Sequence, residues 1–187
     1  AGVVAPHAGC RSRLTAEGLV ESQPRKGFRV APVTESELRD ITMVLTKIEI
    51  SCLESAIHNG GLQWESNIMA TLFELSKLRL ADPNDPKRLN ETWAETHKRF
   101  HQALVAACDS PWLLRLRETL YVHSERYRWM SLPRDRRQRN LQAEHEAIAV
   151  AAVARSAGKA CSLLGQHIAK TTQILVEFGT AKSIRKN

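Results

Sequence analysis

Two histidines, His97 and His101, stand four residues apart in the run Glu95-Thr96-His97-Lys98-Arg99-Phe100-His101. On a helix this spacing puts both imidazoles on one face, one turn apart. Neutral imidazole nitrogens are good ligands for zinc and nickel, so such a pair can close on one ion. His145 and His167 lie in two later stretches with the same helical period. The chemistry these residues favour is a divalent metal held inside a helical bundle.

The helical faces agree with this. At about 100° per residue, Trp93, His97, Phe100, His101 and Leu104 fall on one side of a helix. Leu141, His145, Ile148 and Ala152 do the same, as do Leu164, His167, Ile168, Thr171 and Leu175. A lone inward histidine is more often a hydrogen-bonded core residue than a ligand. Four of them on three core-facing stripes, with one pair at clamp spacing, shift the balance toward a metal centre.

Six helices must position these residues. Thr34 and Glu37 have the spacing of a capping box, which opens the first helix. Its stripe (Ile41, Leu45, Ile48, Cys52, Ile57) runs to about residue 59, where Gly60-Gly61 breaks it. The second helix is expected over 62–80, the third over 86–108, the fourth over 111–129, the fifth over 135–155 and the sixth over 159–181. Ser110-Pro111 reads as an N-cap followed by proline at the first helical position. Upstream, Val20 to Val30 alternates apolar and polar residues around Pro24 and Gly27, the pattern of two short strands joined by a basic turn. Residues 11–17 fit a helix end stopped at Gly18, and residues 1–10 show no period. The fold class is therefore all-α: an antiparallel six-helix bundle preceded by a small hairpin.

Composition excludes several classes. The 187 residues suffice for one domain with a sizeable core. The longest apolar run, Ala147 to Ala154, is too short to span a bilayer, and no secretory pattern is present, so a cytoplasmic location is expected. Cys10, Cys52, Cys108 and Cys161 form no Cys-x-x-Cys pair and read as free, mostly buried thiols. The net charge of +7 is compatible with a polyanionic partner but does not demand one. The basic groups at 134–139 and at Arg185-Lys186 read as solvated surface, while Arg25, Lys26 and Arg29 surround the expected turn.

Two stretches carry a family resemblance. The run Arg13-Leu-Thr-Ala-Glu-Gly-Leu-Val-Glu-Ser-Gln-Pro-Arg-Lys-Gly-Phe-Arg-Val30 resembles the recognition-helix end and wing of the GntR superfamily of bacterial transcription regulators. Phe100-His101, Glu144-His145 and Gln166-His167-Ile168 resemble the histidine set of its branch with the FCD (FadR C-terminal) domain. The similarity covers about residues 13–180. It implies a domain order of 1–31, an unstructured start plus the tail of a truncated winged helix-turn-helix, then 34–183, a helical ligand-binding domain.

The resemblance also implies a function. It is a DNA-binding transcriptional regulator, as a repressor, that senses a small carboxylic acid through a divalent metal. Zinc is the first choice of ion and nickel the second. His97, His101, His145 and His167 would hold the ion, and Arg126, Arg128 and Tyr127 would meet the effector. In the intact protein Arg25, Lys26 and Arg29 would contact operator DNA, and a homodimer would match paired half-sites. Metal-binding members of the family usually carry aspartate where His97 stands; histidine is also a competent ligand and removes one negative charge. The rival from another class is a helical metalloenzyme, a metal-assisted hydrolase, with Glu144 or Glu146 as base. No HExxH motif and no Glu-x-x-His pair supports it. His58 and His123 are expected to be structural or exposed.

Overall fold

The computed structural model describes residues 15, 20–23, 27–30, 34–131 and 139–183, with the side chains of 30, 126–131 and 178–183 outside the described set. Two strands, β1 (Val20–Gln23) and β2 (Gly27–Val30), pair antiparallel with Val20 opposite Val30 and Gln23 opposite Gly27. Gly27 sits at φ +84°, a conformation that disfavours a side chain, which is why the turn closes on glycine. The expected hairpin is present. The helix end expected over residues 11–17 lies outside the described residues, apart from Thr15, which is helical.

Six helices follow: α1 (Glu35–Asn59), α2 (Leu62–Ser76), α3 (Glu91–Val105), α4 (Pro111–Ser131), α5 (Leu141–Val153) and α6 (Ala157–Ser183). Thr34 caps α1 by accepting a hydrogen bond from the Glu37 backbone amide. Gly60 ends α1 at a close approach, where a Cβ would overlap the Trp64 ring. Arg155 closes the same corner by donating to the Ile57 and Gly60 carbonyls at 2.5 and 2.6 Å.

Three helices differ from the sequence expectation at their ends, for a shared reason. Helix α2 stops at Ser76 and α3 starts only at Glu91, because residues 80–90 fold as a compact loop. Asp82 accepts hydrogen bonds from the Asn84 and Asp85 amides, Ala81 bridges Leu89, and Asn90 accepts from Thr92 and Trp93. Likewise Asn140 caps α5, so that helix starts at Leu141 rather than 135. Side-chain acceptors of Asn and Asp compete with the helical ladder, and at these positions they win.

Helix α1 packs on α4 and α6, α2 on α3, and α5 on α6. The main core runs through Cys52, Leu53, Ile68, Leu75, Phe100, Leu104, Ile148 and Leu164. Burying side chains of this size stabilises the fold by roughly 1.5–3 kcal/mol each. A smaller cluster, Leu38, Leu175 and Val176 with Ile41 against it, joins the first turns of α1 to α6. Among the described residues, no helix is long and apolar enough to cross a membrane.

Candidate metal centre

His97 and His101 project from α3, His145 from α5 and His167 from α6. All four are buried, between 1% and 5% exposed. Their candidate ligand atoms all lie within 4.8 Å of one another. His97 Nε2 and His101 Nε2 are 3.1 Å apart. The ring centroids of the set are separated by 4.4 to 6.3 Å. A zinc ion held by four imidazoles at about 2.1 Å each would set their nitrogens about 3.4 Å apart. The most widely separated of the four nitrogens would therefore draw in by about an ångström to share an ion.

Aromatic rings wall one side of the centre. The Trp93 ring stacks on His97 at 4.7 Å, and Phe100 meets His101 and His145 edge-on at 5.4 and 5.2 Å. This follows from the α3 stripe, which carries the aromatic residues on the face that carries the histidines.

One ligand is held from behind. His167 Nδ1 is 2.9 Å from Glu144 Oε2. The same carboxylate is clamped by Arg139, whose Nε and Nη2 donate to it at 3.1 and 2.6 Å. Arg139 also donates to the His167 carbonyl and to Thr171 Oγ1, both at 3.0 Å. Partial burial pushes the Glu144 pKa up, but the His167 hydrogen bond and the Arg139 charge outweigh it and hold the carboxyl well below the usual range. A carboxylate bonded to the far nitrogen of a histidine fixes its tautomer and leaves Nε2 for a metal. The donor set and its support thus fit a divalent ion of the zinc type.

The structure brings all four expected histidines together. Arg126, Tyr127 and Arg128 lie on α4, but their side chains are outside the described residues. Arg25 and Lys26 are also outside them. Arg29 is exposed on β2 and paired with Glu21 at 2.9 Å. His58 is exposed as expected, while His123 is half-buried. Arg139 corrects the reading of 134–139 as solvated surface: it is largely buried and braces the centre, because Glu144 and Thr171 offer it acceptors. Glu144 itself was expected only as a possible base. Its carboxylate is instead engaged by His167, Arg139 and Lys170.

Against the centre lies a small cavity of about 30 Å³, room for about two water molecules. His101 and His167 form one wall, and Leu38, Thr42, Leu45 and Glu49 of α1 form another. Tyr121 and Ser124 of α4 and Thr171, Thr172 and Leu175 of α6 complete it. Behind Glu49, the Arg117 guanidinium approaches Glu49 Oε2 at 3.0 Å, with both side chains 3% exposed.

An all-helical bundle of this topology is shared by known transcriptional regulators. Residues 40–170 match the FCD domain family. The chain is 33% identical over 168 residues to the HTH-type transcriptional regulator BphR of Paraburkholderia xenovorans LB400, spanning 90% of this chain and 69% of that protein. It is 36% identical over 169 residues to the HTH-type transcriptional repressor GlaR of Escherichia coli K12, spanning 88% and 76%. The fold is also that of a GntR-family regulator from Pseudomonas syringae pv. tomato, with TM-score 0.71 at 17% identity over 95% of this chain and 71% of that one. Escherichia coli McbR/YncC superposes with TM-score 0.75 at 18% identity, covering 95% and 88%. The chain belongs to the FCD-domain branch of the GntR-family transcriptional regulators.

Proposed function

We propose that this regulator is a DNA-binding repressor whose helical domain, residues 34–183, senses a small carboxylic acid at a metal held by His97, His101, His145 and His167. The observation that carries this reading is the convergence of four buried imidazoles, from three helices, to within 4.8 Å beside a small cavity. Zinc suits an all-imidazole set, and nickel is the alternative. When bound, the ion supplies a positive centre that attracts a carboxylate.

The chain's own residues supply the rest. Trp93 and Phe100 set apolar rings against the histidines, which lowers the local polarity and strengthens the attraction between the centre and an anion. Glu144 and Arg139 orient His167. Arg126, Arg128 and Tyr127 are further effector contacts in this reading. The helical relatives are regulators rather than enzymes, and no turnover is assigned.

Coupling to DNA runs through α1. Leu38, Thr42, Leu45 and Glu49 recur at helical spacing and put one face of this helix on the cavity. The same helix follows the hairpin after four residues, 31–34. Its first turns are tied to α6 by the Thr42–Thr172 hydrogen bond at 2.9 Å and by the Leu38–Leu175 cluster. An acid too large for the small cavity binds better when α1 and α6 part, so it shifts the balance between two bundle conformations. In a cytoplasmic homodimer this changes the setting of the paired DNA-binding units, residues 1–31 contributing the wing with Arg25, Lys26 and Arg29 at the phosphates.

The test is direct. Metal analysis of the purified protein should find about one divalent ion per chain, and a panel of small hydroxy-, keto- and dicarboxylates should raise its melting temperature only when metal is present. A protein that takes up no zinc or nickel and ignores every acid overturns the reading.

A further inference from the structure

We propose that Thr42 and Thr172 form a gate between α1 and α6 through which a metal ion enters and leaves the histidine centre. This rests on the metal reading above and adds the path to the site.

The two threonines stand at a boundary. Both line the small cavity beside His101 and His167, and both also line an open groove of about 780 Å³ on the outside of the bundle. The groove runs between α1 and α6 past Met43, Thr46, Gly165 and Ala169. Among the described residues, only Thr42 and Thr172 line both spaces. A pair of hydroxyl oxygens 2.9 Å apart divides one from the other there.

Other approaches, among the described residues, are filled. Trp93 stacks on His97, Phe100 packs on His101 and His145, and Glu144 with Arg139 backs His167. On the α4 side of the cavity, Glu49 and Arg117 join α1 to α4 at 3.0 Å, with both side chains buried. Parting a buried ion pair leaves each charge without its partner, so that side is costly to open. At the threonines the joint is a neutral hydrogen bond, which water can replace at little cost.

The bond also has a fixed half and a moving half. Thr172 Oγ1 donates to the Ile168 carbonyl at 3.2 Å. A hydroxyl carries one hydrogen, so Thr172 accepts from Thr42 and stays anchored to its own helix. Threonine in a helix divides between two rotamers. Rotation of Thr42 to the other rotamer parts the pair without moving the backbone. Outside it, Gly165 and Ala169 keep the α6 wall of the groove low.

The experiment follows zinc release from the loaded protein into excess chromophoric chelator, with the equilibrium affinity measured separately. Thr42→Ala with Thr172→Ala should speed release at least tenfold and leave the affinity within threefold, because the histidines are untouched. Thr42→Cys with Thr172→Cys, oxidised with diamide to a disulfide, should slow release at least tenfold, and a phosphine reductant should restore it. If the alanine pair does not fold, the cysteine pair decides. Thr46→Ala, on the groove but not on the cavity, should change the rate by less than twofold. A release rate that ignores both threonine pairs overturns the proposal. So does an acceleration by Ser124→Ala that matches the alanine pair, which puts the route along α4. A chain that takes up no zinc removes the metal reading, and the gate with it.

Discussion

Glu144 and His167, on neighbouring helices and 23 residues apart, are joined by a 2.9 Å contact between Oε2 and Nδ1. That contact decides which nitrogen of His167 faces the other three imidazoles. Replacing Glu144 by Gln keeps the shape but loses the charge that the Arg139 clamp and His167 share. Metal affinity should fall by about 10- to 100-fold, as for other carboxylates behind a ligating histidine. Competition with a chromophoric chelator measures it, and an unchanged affinity would show that the support is dispensable.

The ligands themselves should be less forgiving. His101→Ala and His145→Ala should each abolish stoichiometric zinc binding and the stabilisation by acids. Both variants should still fold, since circular dichroism of the metal-free form depends on the apolar core. Retention of zinc at one ion per chain in both variants would show that the ligand set is wrong.

Metal should also stabilise the fold by mass action. An ion that binds the folded chain and not the unfolded one adds about 4 kcal/mol at a thousandfold excess over its dissociation constant. Chelator should lower the melting temperature, and zinc should restore it. A melting curve indifferent to chelator leaves four core histidines and no metal.

The thiols predict an alkaline limit. Burial pushes the Cys52 thiol up to about 12, and the Cys161 thiol to about 11, from 9.0. Both thiols stay protonated in the folded protein while the unfolded chain ionises above about 9. The folded pKa values are raised, so their contribution to stability is complete below 9 and is lost as pH rises toward 11 and 12. Denaturant unfolding at pH 8 and pH 10 should show lower stability at the higher pH. A thiol reagent at pH 8 should label Cys52 only on unfolding, because the thiolate is the reactive form.

On DNA, the wing charges should act without sequence preference. Neutralising Arg25, Lys26 or Arg29 should weaken operator binding at low salt and reduce the salt slope by about 1 for each phosphate that no longer has a cation beside it. Light scattering should report a dimer; monomer at all concentrations would remove the paired half-site geometry.

The sequence alone determined the helices, their order and their inward faces, because a 3.6-residue period of apolar side chains is a local property of the chain. It also determined the imidazole set: His97 and His101 at clamp spacing, and His145 and His167 on buried stripes. Helix ends were less legible, since Asp82, Asn90 and Asn140 choose between ladder and cap by small energy differences. Glu49 left a trace, a charge on the same helical face as Leu45 and Cys52. Its partner did not, nor did the clamp of Arg139 on Glu144. Ion pairs between helices depend on how the helices are set against one another, and only the packed bundle fixes that. The periodic pattern decides which side chains go inside; the tertiary structure alone decides which of them meet.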